Sequence, residues 1–420
     1  MVTLRHLQRL LGAAALVGLL GCSSRNAAPD PPNLAVPPRV DAVAPPGTYL
    51  PVEKATADEL VRVVKHDVAK PDANAPPKKK INVMAIGGGG QYGAYAAGLL
   101  LGWTARGDRP QFDVMTGISS GALIATLAYM GPKYDPIIQD VFTNLETKDL
   151  FKYRSIPVHI VQLGAVASSD PLRQMLERYI GDEFIADMAA ANCAGRKLYV
   201  GTHNLHTRRL VIWDLGAIAA SGRPNARCEV INILVATASI AGLAPPVPIQ
   251  VTLDGATHTE MHADGGGLAQ AFVRFGPEVP KPDPNGKPGE WLAGSNFYSI
   301  AGGKLYADPH VGPVKFISSI IGNISGSLYA LYRADLWRLY ALCQSSGMKF
   351  HHAFIPQDFE TAKNSTEFDP VEQKKLFAIG YELMVKNQMW RTTPPGYEPA
   401  EFELPRAGFN FSSGPPATLP

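Results

Sequence analysis

Residues 81–121 read INVMAIGGGGQYGAYAAGLLLGWTARGDRPQFDVMTGISSG. An apolar run, Ile81–Ile86, meets four consecutive glycines, Gly87–Gly90. A segment rich in alanine and leucine follows, Tyr92–Thr104. A second short apolar run, 112–116, meets another glycine-flanked turn, and Ser120–Met130 is again helix-forming. Strand-length runs that end in glycine and alternate with helix-length segments are the pattern of parallel βαβ units. The expected fold is therefore α/β, a doubly wound, mainly parallel sheet flanked by helices.

Outward from this stretch the alternation continues. Lys197–Gly201 and Leu210–Trp213 read as strands, and 135–146 and 170–180 as helices. The second of these helices is opened by Asp170-Pro171, a cap and first-turn pair. Residues 275–290 hold five Pro and three Gly and read as a surface loop. The apolar stretch 313–344 reads as helical, interrupted near Gly322 and Gly326. A buried helix pair is the plainer reading there, and a lid over a site or a lipid contact the alternative. A strand over 349–355 and a helix over 370–389 are expected beyond it.

The chain has 420 residues, with 36 Pro, 40 Gly, four Cys and a formal net charge of +2. That charge, without a basic block, argues against nucleic acid as a partner. Four Cys are too few for a disulfide-built scaffold. Cys193 and Cys228 flank expected loops, so a pair between them or free thiols both remain open. No CxxC or Cys/His spacing suggests zinc, and no carboxylate cluster suggests calcium. No metal or cofactor is expected.

The amino terminus, MVTLRHLQRLLGAAALVGLLGC, has Arg5 and Arg9 ahead of a twelve-residue apolar run, Leu10–Gly21. A spanning helix needs roughly 20 residues, so the run fits a secretory signal instead. The ending Leu19-Leu20-Gly21-Cys22 resembles the bacterial lipobox, in which cleavage before the Cys leaves it lipidated. Ser23 after it resembles, in the Gram-negative sorting rule, an outer-membrane destination. Removing residues 1–21 takes away two arginines and brings the net charge to zero. Eight Pro between Pro29 and Pro51 make a tether, with a short helix read over 56–66. The organisation expected is a signal over 1–21, a tether over 22–80, a catalytic core over 81–270, the rest of the α/β domain over 271–390, and a Pro-rich tail over 391–420.

Three motifs carry chemistry. Gly87–Gly93 follows a strand and opens a helix, so bare amide N–H groups at a helix start suit an anion or oxyanion. It contains GxGxxG (Gly88, Gly90, Gly93), but a dinucleotide site wants an acidic residue at the end of the next strand, and Asp113 stands at its start. No Gly-Lys-Ser/Thr follows, which excludes a P-loop. The second motif, Gly117-Ile118-Ser119-Ser120-Gly121, is GxSxG at a strand-to-helix junction, the context of a nucleophile elbow with Ser119 at its tip. Such a serine needs a base. Histidines at 258, 262, 310, 351 and 352 have no distinctive setting. The third motif, His262-Ala263-Asp264-Gly265-Gly266-Gly267, places Asp264 ahead of three glycines, free of side-chain crowding. Asp254-Gly255 nearby reads only as a turn.

Taken in order, the three motifs resemble the patatin-like phospholipases. Gly87–Gly93 with Ala94-Tyr95-Ala96-Ala97-Gly98, Gly117–Gly121 and Asp264–Gly266 are similar to that family's oxyanion loop, nucleophile elbow and Asp-Gly-Gly motif. Ala236-Thr237-Ala238-Ser239 with Pro245-Pro246-Val247 is similar to its segment before the Asp. The likeness covers about residues 81–270. It implies a Ser–Asp dyad of Ser119 and Asp264, an oxyanion hole from the amides of Gly88, Gly89 and Gly90, and acyl transfer from a lipid ester to water. Two departures stand out. Tyr92 occupies a place where the family usually has Arg or Lys, and the segment before Pro245 lacks a Pro and an aromatic residue. The implied function is a membrane-anchored phospholipase A or lysophospholipase of the cell envelope. An esterase or thioesterase on a non-membrane acyl substrate, and a non-catalytic envelope lipoprotein of the same fold, are the alternatives.

Overall fold

The computed structural model describes residues 39–41, 80–153, 165–253, 256–275, 291–308, 316–361 and 364–397. The signal and Cys22, the 56–66 helix, Asp254-Gly255, His310, most of the 275–290 loop and the tail beyond Tyr397 lie outside the described residues. Of the expected tether, the backbone of β1 (Arg39–Asp41) is described, and it adds antiparallel to a sheet edge.

The sheet is laid down in chain order. β2 (Asn82–Ile86) leads through a 3-10 turn, Gly90–Tyr92, into α1 (Gly93–Arg106), and β3 (Val114–Ile118) into α2 (Ser120–Tyr129). Then come α3 (Asp135–Asn144), α4 (Thr147–Leu150), the small pair β4 (Lys152–Tyr153) and β5 (Ala167–Ser168), α5 (Asp170–Tyr179) and α6 (Asp182–Cys193). β6 (Lys197–Asn204) and β7 (Arg209–Asp214) form a hairpin, followed by α7 (Leu215–Ala219) and α8 (Ala226–Thr237). β8 (Val247–Leu253) and β9 (Ala256–Asp264) form a second. β10 (Asn296–Ile300), α9 (Phe316–Ser346), β11 (Lys349–Ala353) and α10 (Pro370–Val385) complete the series.

The main sheet runs β1-β7-β6-β3-β2-β10-β11, with β9 on β6 and β8 on β9. The pairs β11–β10–β2–β3–β6 are parallel, and the pairs made by β7, β8 and β9 are antiparallel. The expected doubly wound α/β sheet is present, with an antiparallel flank. Its central strands are buried on both faces, as parallel strands under helices must be. Met84, Ile86 and Met115 enter the core under α1, α2, α8 and α10. Val83, Ala85, Val114 and Ile118 enter the core under the second half of α9, through Tyr332, Leu336 and Leu339.

α9 is one continuous helix and not an interrupted pair. Glycine costs a helix interior about 1 kcal/mol relative to alanine, which weakens it without ending it. Gly322 and Gly326 lie in its exposed first half, where Ile324 is 58% exposed. Among the described residues, no helix is long and apolar enough to cross a membrane.

β3 runs to Ile118, two residues past its expected end, because Gly117 continues the strand. A Cβ at Gly117 would stand 2.5 Å from the Ala122 Cα, so this glycine serves the close return of α2. The small pair β4 and β5, the strands β8, β9 and β10, and the helices α4, α6, α7 and α8 have no counterpart among the expected elements. β2 and β10 run parallel, and their connections lead to opposite sides, β2 on to β3 and β10 on to β11. The crevice at such a switch point, outside the carboxyl ends of the strands, is the usual ligand site.

Candidate active site

β6 is long enough to carry two strands on one edge. β3 lies beside its first half, parallel, and ends with Ile118 opposite Gly201. β9 lies beside its last residues, antiparallel, and ends with Asp264 opposite Thr202. β7 takes the other edge. β3 and β9 therefore meet head to head, and the residues at their tips, Ser119 and Asp264, face each other. The Ser119 hydroxyl lies near enough to the Asp264 carboxyl to act on its protonation.

Ser119 has φ 55° and ψ −135°, a strained backbone for a residue with a side chain. Such conformations cost about 1–3 kcal/mol and persist where surrounding contacts impose them. The Ser119 amide donates to the Thr237 hydroxyl at 2.9 Å. α2 starts at the next residue. Its N-terminus packs so close to β2 that a Cβ at Gly121 would stand 2.4 Å from the carbonyl oxygens of Ile86 and Gly87.

Asp264 caps the turn Gly265–Gly267, and its Oδ1 accepts the Gly266 amide at 2.8 Å. Burial is the largest influence on its carboxyl and pushes the pKa up to about 6, against the lowering effect of Ser119 and of the Gly266 amide. The residue keeps some overall exposure. Its carboxyl is buried all the same, and burial disfavours the charged form, which sets the direction. At neutral pH it is ionised, yet more basic than an ordinary aspartate.

The glycine loop lies directly over the serine, and a Cβ at Gly88 would stand 2.8 Å from the Ser119 Cβ. Of the three expected oxyanion donors, one is committed elsewhere: the Gly89 amide donates to Ser120 Oγ at 3.2 Å. Among the described residues, the amides of Gly88 and Gly90 make no hydrogen bond. Neither does the Ser120 amide, an orphan donor in the first turn of α2. Sequence reasoning missed Ser120, although a donor just after the nucleophile is usual for an elbow.

Gln91 is fully buried and ties the loop to a segment far away in sequence. Its amide and Nε2 donate to the carbonyls of Ser365 and Asn364, each at 2.8 Å, and its Oε1 accepts the Asp369 amide at 3.2 Å. Tyr92 is buried beside it. Burial pushes its phenol up to about 12, against a lowering influence from Thr361. The place of the family's usual cation thus holds a neutral phenol.

A pocket opens from the serine. Gly90, Ser119 and Ser120 form its polar end, and Leu123, Phe142, Leu145, Leu150, Phe151, Leu172, Ile240 and Phe368 its apolar walls.

No described histidine bonds Ser119 or Asp264. His262, two residues before Asp264, is buried between Thr202 and Glu260 at 2.9 and 3.1 Å. His352 bonds the Thr393 carbonyl, and His351 stacks on Tyr298. Among the described residues no cluster of three His, Cys, Asp or Glu is gathered for a metal. Cys193 and Cys228 are exposed and unbonded, and Cys343 is buried and unbonded. The optional Cys193–Cys228 bridge is not formed, because each thiol sits on its own helix, α6 and α8, facing solvent.

No curated protein matches the chain. One solved structure that resembles it is the crystal structure of VipD from Legionella pneumophila. The TM-score is 0.38 at 10% sequence identity, over 75% of this chain and 68% of that one. Residues 84–273, just under half of the chain, match the family model described as patatin-like phospholipase, and the mostly parallel sheet flanked by helices is of the patatin fold.

Proposed function

We propose that the protein is a lipid-anchored acyl hydrolase, of phospholipase A or lysophospholipase type, working through Ser119 and Asp264. The observation that carries this reading is the meeting of Ser119 and Asp264 at the facing ends of β3 and β9, with Ser119 lining an apolar pocket. Asp264 takes the hydroxyl proton as Ser119 Oγ attacks the ester carbonyl carbon. The carbonyl electron pair moves onto oxygen, where the amides of Gly88, Gly90 and Ser120 stand as donors. Removing one such donor typically costs about 10²–10³ in turnover. Collapse of the adduct expels the alcohol, which takes the proton from Asp264 and leaves an acyl-enzyme. Asp264 next accepts a proton from water as its oxygen attacks the acyl carbon. Ser119 leaves with that proton and the fatty acid is released. A base with a pKa of about 6 suits both proton transfers near neutrality. The Cys22 lipobox supports attachment at the envelope membrane, where such esters are found.

The test is active-site labelling with a fluorophosphonate, together with fatty-acid release from phospholipid and from short nitrophenyl esters. Wild type should label and turn over, and Ser119→Ala and Asp264→Asn should do neither at a measurable rate. A wild type that neither labels nor releases fatty acid refutes the enzyme reading. Turnover of short esters alone would point to a non-membrane acyl substrate.

A further inference from the structure

The two members of the dyad sit on different strands, yet both are hung from one short turn. That turn follows α8. Thr237, its last helical residue, has no exposed surface, and its single hydroxyl serves two strands at once. It accepts the Ser119 amide at 2.9 Å and donates to the Gly201 carbonyl of β6 at 2.7 Å. Two residues later, the Ser239 carbonyl accepts the Asp264 amide at 2.9 Å. Ser239 is fully buried and bonds its own hydroxyl back to the Val235 carbonyl at 2.8 Å, which fixes the turn on the helix. Ala238 and Ile240 of the same turn line the pocket.

We infer that Thr237 is a positioning residue that holds Ser119 in its strained conformation and in register with Asp264. This rests on the Ser–Asp reading above. The physical argument is one of replacement. Ser119 is held at positive φ, and its amide lies where no helix or strand partner reaches it. A hydroxyl is the one side-chain group of this size that accepts and donates together. With it removed, a buried amide and a buried carbonyl both lose their partner, and the strained residue is free to relax. The Ser119 oxygen then moves relative to Asp264 and to the Gly88 and Gly90 amides. Displacements of about 1 Å in such constellations cost about 10²-fold in rate.

The experiment compares wild type with Thr237→Val, Thr237→Ser and Thr237→Cys, with Thr143→Val as a control. Thr143 is a buried threonine in α3 whose hydroxyl bonds only its own helix, at the Gln139 carbonyl. In Thr237→Val, kcat and the fluorophosphonate labelling rate should fall about 10²-fold while KM stays within about twofold. Thr237→Ser should return to within roughly threefold of wild type, and Thr143→Val should keep full activity. Should Thr237→Val not fold, Thr237→Cys is measured against Thr237→Ser, two variants that differ only in sulfur for oxygen. Equal kcat in that pair, or wild-type kcat in folded Thr237→Val, overturns the inference. Hydrogen exchange of the 117–121 peptide is read in parallel and needs no turnover. The Ser119 amide should exchange faster in Thr237→Val, and unchanged exchange overturns the positioning role even if the wild type proves inactive.

Discussion

The raised pKa of Asp264 ties activity to a cost in stability, and Asp264→Asn separates the two. In the folded chain this carboxyl has a pKa of about 6, against 3.8 for the ordinary group. Between those values the folded state holds a proton that the unfolded state has lost. Stability therefore falls as pH rises through this window and is level above it. The native site carries a charge it would shed if chemistry allowed. Asparagine keeps the shape and an oxygen for Ser119 but carries no charge. Integrating the linkage from about pH 4.5 to about pH 7.5, the wild type loses about 2 kcal/mol that Asp264→Asn does not lose. For a compact part of this size that corresponds to a Tm difference growing by roughly 3 °C. Paired denaturant or thermal unfolding of the two proteins across that range measures it. The change in the gap is the quantity to read, since it is independent of any fixed offset from the amide. Over the same range kcat/KM of the wild type should rise with pH and level off above an apparent pKa of about 6. A gap that stays constant with pH, or that narrows toward neutrality, would refute the claim that burial governs this carboxyl.

Two further outcomes are expected. Gln91→Ala removes two part-buried side-chain hydrogen bonds to the 364–369 segment, and should destabilise by about 1–3 kcal/mol. Limited proteolysis should then cut near Ser365 well before the rest of the domain. Cys22→Ser removes the expected lipidation site and should move the protein from the membrane fraction to the soluble fraction, with esterase activity on short nitrophenyl esters retained. A variant that still sediments with membranes would mean that another surface holds it there.

Much of the fold was legible in the sequence for an identifiable reason. Parallel strands buried on both faces are continuous apolar runs, and glycines cluster at the first two strand-to-helix turns, so β2, α1, β3 and α2 announce themselves within about forty residues. The antiparallel flank is harder to read. β9, ATHTEMHAD, is exposed at its start and buried only toward Asp264. Its composition therefore reads as a polar connection. β10 is a single short run between two irregular segments, and its neighbours β2 and β11 come from distant parts of the chain. The break expected at Gly322 and Gly326 was wrong because glycine weakens a helix less than proline does.

The site divides in the same way. Ser119 and Asp264 carry local signals, since an elbow and an Asp-Gly-Gly turn are each written within a few residues. The groups that aim them are not local. Thr237 lies 118 positions from the amide it accepts, and Gln91 lies 273 positions from a carbonyl it bonds. A threonine at a helix end and a glutamine after four glycines look ordinary until the sheet closes. What closes it is β6. Its eight residues are enough to seat β3 and β9 end to end on one edge. One residue less of overlap on either strand would move Ser119 from Asp264 by about a further 3.3 Å, the rise of a strand residue, beyond the reach of a direct proton transfer. Strand length and register bring Ser119 and Asp264 together, and the turn after α8 bonds the backbone amides of both.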